Sequence, residues 1–443
     1  MFKVPVSRNS LIFEMKGKLR AFVPIVIISA GILFYFYYGI YKMLWVHVDL
    51  IGGDFIKGYC AATNFLNNRS IYDMPSWWHL YSGNPVTFLF MPFSTMPPAA
   101  AKMLWFAFCH VLAGVSFLVI YRYGSRNNSR VSLVSACAVM LFSMPLYGMF
   151  LTGNIVILIF FGLSLVYAGL ISGRKKFIPA SIAFFTAVKL CPAVMMGVFA
   201  RRRDYPSVVS FVLVTAAIYV LSFAVFGMED SRRYIQQLQS ADRFVGVFSA
   251  ISLTFFLKLF WPEALSGWPL FFVNLAFLTV LTALWWRISG TGSGGCSEPG
   301  SQVTDLFALT VIMVLVFPSS WLFYEALLIM PFYFVIFAMI EGRREFKYPA
   351  AFILLFLFMN FWEIMYYHLP LSVDYLTMRQ VEIEKSMYPV LYPLIFSTHF
   401  LGSLALFGWI LLNYNELVNT ILRICAADRH ASERELFLPR EGY

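Results

Sequence analysis

Hydrophobic residues make up 60% of the 443 and charged residues only 13%, with a mean hydropathy of +0.73, which is too apolar for a soluble multidomain protein with a hydrated surface. The formal net charge of +10 sits in short basic clusters beside apolar runs, the pattern of topology determinants and not of a nucleic-acid-binding face. Six cysteines without a CxxC pair support neither a zinc site nor a disulfide framework.

In chain order, a basic leader precedes an apolar run from Ala21 to about Trp45. That run is too long for a signal-peptide core and is expected to be an uncleaved signal anchor, with Lys3, Lys16, Lys18 and Arg20 on the cytoplasmic side. The polar stretch "GGDFIKGYCAATNFLNNRSIYD", Gly52 to Asp73, then interrupts the greasy pattern. "SWWHLYSG" and "NPVTFLFMPFSTMPP" follow, and their aromatic and apolar residues suit helices lying along the membrane interface. Further spans are predicted over 99–121, 131–150, 154–172, 207–227, 268–286, 304–317, 321–340, 349–368 and 389–412, on the scale of the about 20 residues that cross a ~30 Å hydrocarbon layer. Arg122, Arg126 and Arg130 then share the N-terminal side with Arg174, Lys175 and Lys176, and later with Arg343, Arg344 and Lys347.

The segment 177–200 carries Lys189 and Pro192 at its middle. Each half therefore reaches only about 17 Å, and a re-entrant helical hairpin with Lys189 near its tip is expected, with 247–262 staying on the outer side. Two full spans are the alternative, which would put Arg201–Asp204 outside. "MEDSRRYIQQLQSADRF" reads as another interfacial helix, 289–302 as a flexible loop and 423–443 as a charged cytoplasmic tail. The predicted fold is all-α: one polytopic transmembrane bundle over 1–443, of about 10–12 membrane segments with re-entrant and interfacial helices.

"GTGSGG" fits GxGxxG but follows a membrane span without a strand–turn–helix context, and neither a Walker motif nor a DxD pair is present. A soluble nucleotide-sugar site and a bound metal are thus unsupported. Asp54 lies just past an outer membrane surface, followed by Tyr59, Tyr72 and Asp73. Lys189 is costly to place, since a lysine at the bilayer centre costs about 2.5–3.5 kcal/mol on insertion scales and usually faces a functional cavity. His110 and His399 are expected to be packed or hydrogen-bonded and not catalytic, and Glu325 and Glu363 are buried-acid candidates whose partners the sequence does not supply.

The order of several modest motifs resembles glycosyltransferase family 87, polyprenyl-phosphate-sugar-dependent membrane enzymes of the GT-C superfamily. They are Asp54-Phe55, Tyr59, Ala61-Ala62 and "FLNNRSIYD", prolines at 85, 92 and 97, Gly153-Asn154 at a Gly-Gln turn, Lys189-Leu190-Cys191-Pro192 with Arg201–Arg203, and Pro318-Ser319-Ser320-Trp321. The resemblance covers about Ala21 to Ile340. It departs at Asn154, at a missing asparagine before Ser252-Leu253, and at Phe323 and Tyr324 where a histidine is expected, so the donor sugar stays open.

The resemblance implies an inverting glycosyltransferase without cofactor or metal. A mannose- or arabinofuranose-like sugar would pass from a polyprenyl-phosphate donor to a lipid-linked or envelope glycan acceptor, at the outer face of a bacterial plasma membrane. Asp54 takes the general-base position. Lys189, Arg69 and Arg243 are candidates for the lipid phosphate, Tyr59, Tyr72 and Trp321 for the sugar, and Asn154 for substrate binding at its turn. Partners would be the donor, the acceptor and membrane lipids, not nucleic acid. A polytopic lipid or solute transporter or flippase is the competing class, and it often shows duplicated halves; no repeat is visible here.

Overall fold

Backbone N–H and C=O groups find no water within hydrocarbon, so a chain this apolar satisfies them inside helices. The computed structural model describes residues 22–46, 53–73, 85–124, 130–239, 252–260, 268–290, 299–317, 322–340, 346–368 and 391–424, and these are predominantly helical, joined by short turns, with no strand among them. It is an all-α polytopic membrane bundle. Among the described residues five helices are long and apolar enough to span: α1 (Phe22–Leu44), α4 (Pro98–Gly124), α10 (Tyr205–Gln239), α12 (Trp268–Gly290) and α13 (Pro299–Val316). Two bent pairs add to them, α5 (Arg130–Leu141) with α6 (Met144–Thr152), at 52°, and α16 (from Leu391 to Leu412) with α17 (Tyr414–Ile424), at 73°. The remaining helices are α2 (Gly53–Leu66), in the stretch the sequence reads as a polar outer loop, α3 (Pro85–Ser94), α7 (Val156–Ile171), α8 (Ile178–Val188), α9 (Gly197–Arg201), α11 (Leu253–Phe260), α14 (Ile329–Ile340) and α15 (Pro349–His368). One buried hydrophobic cluster runs from Met43 to Ile424.

Two of the breaks have a local cause. Pro145 at the start of α6 lacks the N–H that would continue the α5 ladder past Ser143, so the span expected over 131–150 is a bent pair. Gly227 at φ 84° and ψ 166° splits α10 into a membrane part and the short helix expected on the interface. The stretch 289–302 is not all loop. Helix α12 runs to Gly290, and α13 begins at Pro299, whose fixed φ suits a first helical position. Gly300 lets α13 approach so closely that an added Cβ would sit 2.6 Å from the Val418 carbonyl.

The segment after α7 turns back on itself. Helix α8 rises for 11 residues, about 17 Å, before Lys189 becomes extended (φ −156°, ψ 129°), with a 3₁₀ turn over Cys191–Met196 and then α9. Lys175, just before α8, lies within electrostatic range of Arg202 and Asp204, just after α9. The chain has returned to the level from which it left, which is the re-entrant arrangement. Arg201–Arg203 therefore stays beside Arg174–Lys176, and α10 climbs again along α8.

Helices α7 and α8 meet at Gly162, where an added Cβ would lie 2.0 Å from the Phe185 ring. A Gly162→Ala variant is expected to lose about 1–3 kcal/mol through overpacking, seen as earlier thermal unfolding in detergent. Pairing it with Phe185→Leu should recover most of the loss.

Candidate active site

The site begins with aromatic packing. Phe55, fully buried on the first turn of α2, packs on Trp105 of α4 (ring centroids 5.8 Å) and on Phe90 of α3 (5.6 Å). Trp105 Nε1 donates to the Gly153 carbonyl at 2.9 Å, tying α4 to the turn between α6 and α7. Gly153 is left-handed there (φ 61°), a conformation that glycine reaches without a Cβ penalty. The next residue, Asn154, is buried; its Oδ1 accepts the Val156 N–H at 2.9 Å and its Nδ2 donates to Asp54 Oδ2. Contacts thus run in a closed circuit from Asp54 through Phe55, Trp105, Gly153 and Asn154 back to Asp54. Because its oxygen is held by the first turn of α7, the Asn154 amide can present only its donor to the carboxylate.

The other carboxylate oxygen faces Lys57, one turn on along α2, with Nζ 3.0 Å from Oδ1. Asp54 stays 30% exposed and Lys57 29%, so the pair opens to solvent or ligand. Lys189 lies deeper, 9% exposed, with Nζ 4.6 Å from the centre of the Tyr324 ring, close enough for a cation–π contact. Asp54, Lys57 and Cys191 are all within electrostatic range of Lys189, and Asp54 and Cys191 within range of Tyr324. Tyr324 stands on a 3₁₀ segment, Leu322–Leu328, whose next residue, Glu325, accepts from His399 of α16 at 3.0 and 3.1 Å, with both side chains buried.

Of the residues singled out in the sequence, the structure brings Asp54, Asn154 and Lys189 together. Tyr59 is engaged elsewhere: its ring is buried and its hydroxyl donates to the Met96 carbonyl at 2.8 Å, holding the turn between α3 and α4. Arg69 is exposed beyond the far end of α2, a 14-residue helix about 21 Å long. Tyr72, near Arg69, belongs to a second polar cluster. There Ser70 Oγ donates to Asp230 Oδ1 at 2.5 Å, the Ile71 N–H reaches Asp230 Oδ2 at 3.2 Å, and Arg233 donates to Ser70 at 3.1 Å. Burial, then Asp230 and Tyr219, push the Tyr72 hydroxyl pKa upward. This cluster fastens the turn after α2 to the helix beyond Gly227. Arg243 and Trp321 lie outside the described residues.

Lys57 was legible but overlooked, since an acid and a lysine at i and i+3 share one helix face. The Glu325–His399 pair spans 74 positions of sequence, and no local pattern announces it. His110 is packed as expected: Nε2 faces the Gly39 carbonyl at 3.2 Å and the ring stacks on Phe150.

A model of glycosyltransferase family 87 matches residues 84–318, just over half of the chain. The chain belongs to glycosyltransferase family 87. It is therefore an integral membrane glycosyltransferase. No curated protein and no solved structure matches it. The family match includes Asn154, the α8–α9 hairpin and Lys189; Asp54 and Lys57 precede it, and Tyr324, Glu325 and His399 follow it.

Proposed function

We propose that this glycosyltransferase moves a sugar, mannose- or arabinofuranose-like, from a polyprenyl-phosphate carrier to a lipid-linked or envelope glycan, with inversion, at the periplasmic face of a bacterial plasma membrane. One observation carries the reading: an oriented, partly open carboxylate, Asp54, stands beside a lysine set into a break between membrane-embedded helices. The acceptor oxygen forms the new bond to the anomeric carbon as the bond from that carbon to the phosphate oxygen breaks. The hydroxyl proton passes to Asp54 and the electron pair leaves with the lipid phosphate. Developing charge on that phosphate calls for a preorganised cation, which Lys189 supplies from the carrier side.

The 16 residues of α7, about 24 Å, separate Asn154 from Arg174–Lys176. Sites at that distance from a basic cluster suit the outer surface by the positive-inside rule. Among the described residues one large buried cluster reaches from Met43 to Ile424, which supports one membrane unit. A flippase would also use a broken helix and an intramembrane lysine, but membership of a glycosyltransferase family favours the enzyme.

The test is transfer by purified protein from polyprenyl-phosphate-linked mannose or arabinose, with nucleotide sugars run alongside. Transfer from nucleotide sugars alone would reject the donor class. Lys189→Ala is expected to lower kcat/KM for the lipid donor about 10- to 100-fold, the worth of one charge-assisted hydrogen bond. Lys189→Arg should retain part of that, and full activity in Lys189→Ala would remove Lys189 from the mechanism.

A further inference from the structure

We infer that Lys57 is a phosphate ligand that exchanges partners, holding Asp54 in the resting enzyme and moving to the phosphate of the lipid-linked donor when it binds. The inference rests on the donor class proposed above. Asp54 has two partners of very different freedom. Asn154 is buried and held at its other end by the Val156 N–H, so it cannot swing away without leaving that donor unpaired. Lys57 is 29% exposed, on a flexible four-carbon stem, and holds Asp54 by a single contact at 3.0 Å. A base must present a free lone pair to the incoming hydroxyl, and Lys57 is the partner able to vacate one.

Charge indicates where it goes. Among the described residues Asp54 is the one carboxylate in contact with Lys57 and within electrostatic range of Lys189, so two lysines share one acid. A sugar phosphodiester carries one negative charge and matches that surplus. When it settles between the two lysines, Lys57 finds a second anion within the reach of its side chain. Asp54 then loses a cation at the moment a proton is to be taken, and the phosphate gains one as its negative charge grows. Donor binding and base activation become a single movement. A fixed Lys57–Asp54 ion pair would instead oppose the transfer, because it stabilises the carboxylate as an anion.

The prediction is read by equilibrium binding of farnesyl monophosphate to detergent-purified protein, which needs no turnover. Lys57→Gln is expected to weaken binding about tenfold and Lys57→Arg to restore most of it. Asp54→Asn, which releases Lys57 from its resting partner, should tighten binding several-fold, and that gain should vanish in the Asp54→Asn/Lys57→Gln double variant. An equal gain in both backgrounds means that the carboxylate merely repels phosphate, and overturns the exchange. Unchanged affinity in Lys57→Gln overturns the ligand assignment. Inorganic phosphate and a nucleoside diphosphate, titrated in parallel, separate a lipid-phosphate site from a general anion site, and equal affinity for all three overturns the lipid assignment. Failure of the wild type to transfer from any polyprenyl donor would count against the donor class alone, since the binding cycle reads Lys57 independently.

Discussion

Asp54→Asn is expected to lower kcat for sugar transfer by about 10²- to 10⁴-fold, the span over which a positioned general base contributes, while leaving the protein folded. The substitution is nearly isosteric, and the amide oxygen can still accept from Asn154 Nδ2, so the circuit through Phe55, Trp105 and Gly153 persists. What is removed is the capacity to take a proton, together with the ion pair to Lys57. Stability should change by no more than about 1 kcal/mol, because the ion pair that is lost is partly exposed and such pairs are worth little. Asp54→Glu supplies the control for position. It keeps the carboxylate but moves it by one methylene against a fixed Asn154, and a misplacement of about 1 Å can itself cost on the order of 10²-fold. Steady-state transfer from a lipid-linked donor measures both. An Asp54→Asn enzyme within a few-fold of wild type would falsify the base assignment, and an Asp54→Glu enzyme with full activity would show that the Asn154 contact does not set the geometry.

How far the sequence could reach is seen by comparing Asp54 with the groups around it. The apolar runs, their basic flanks and the length of each half of 177–200 follow from the thickness of the membrane and the rise of a helix, and these rules placed Lys189 at a break between helices. Asp54 and Asn154, 100 positions apart, could be linked only through the family resemblance. No periodicity relates the start of one helix to the turn before another. Tyr59 and Tyr72 show the converse difficulty. Both stand beside Asp54 in sequence, but one turn of helix faces Tyr59 into the α3–α4 packing, and the length of α2 carries Tyr72 away to Asp230. Proximity along a chain says little about proximity in a bundle. The residues that shape the site from below, Tyr324 and the Glu325–His399 pair, come from elements beyond the family match. Their meeting depends on how the C-terminal helices close against the rest of the core.

The largest loss of stability is expected from Asp305→Ala. The Asp305 carboxylate is fully buried and accepts from Arg201 at 2.9 and 3.0 Å, Arg202 at 3.2 Å, Trp285 Nε1 at 3.0 Å and the Tyr414 hydroxyl at 2.6 Å. Arg201 also donates to the Ser289 carbonyl and lies over the Trp285 ring at 5.7 Å. One acid therefore joins the end of the α8–α9 hairpin to α12, α13 and α17. Removing it leaves two guanidinium groups out of water with no counter-charge, a change that costs about 3–5 kcal/mol. Asp305→Asn, which keeps one acceptor oxygen, should fall between wild type and alanine. The charge argument is separated from simple loss of packing by a triple replacement, Asp305→Leu with Arg201→Met and Arg202→Met, expected to unfold later than Asp305→Ala although it removes more hydrogen bonds, because no buried charge is stranded. Thermal unfolding in detergent orders these variants, and Asp305→Ala matching the triple replacement would mean that the cluster contributes through packing alone. Because the same carboxylate anchors the returning limb of the hairpin, whatever Asp305→Ala folds should also show a raised KM for the lipid donor. The limb it releases is the one that follows Lys189.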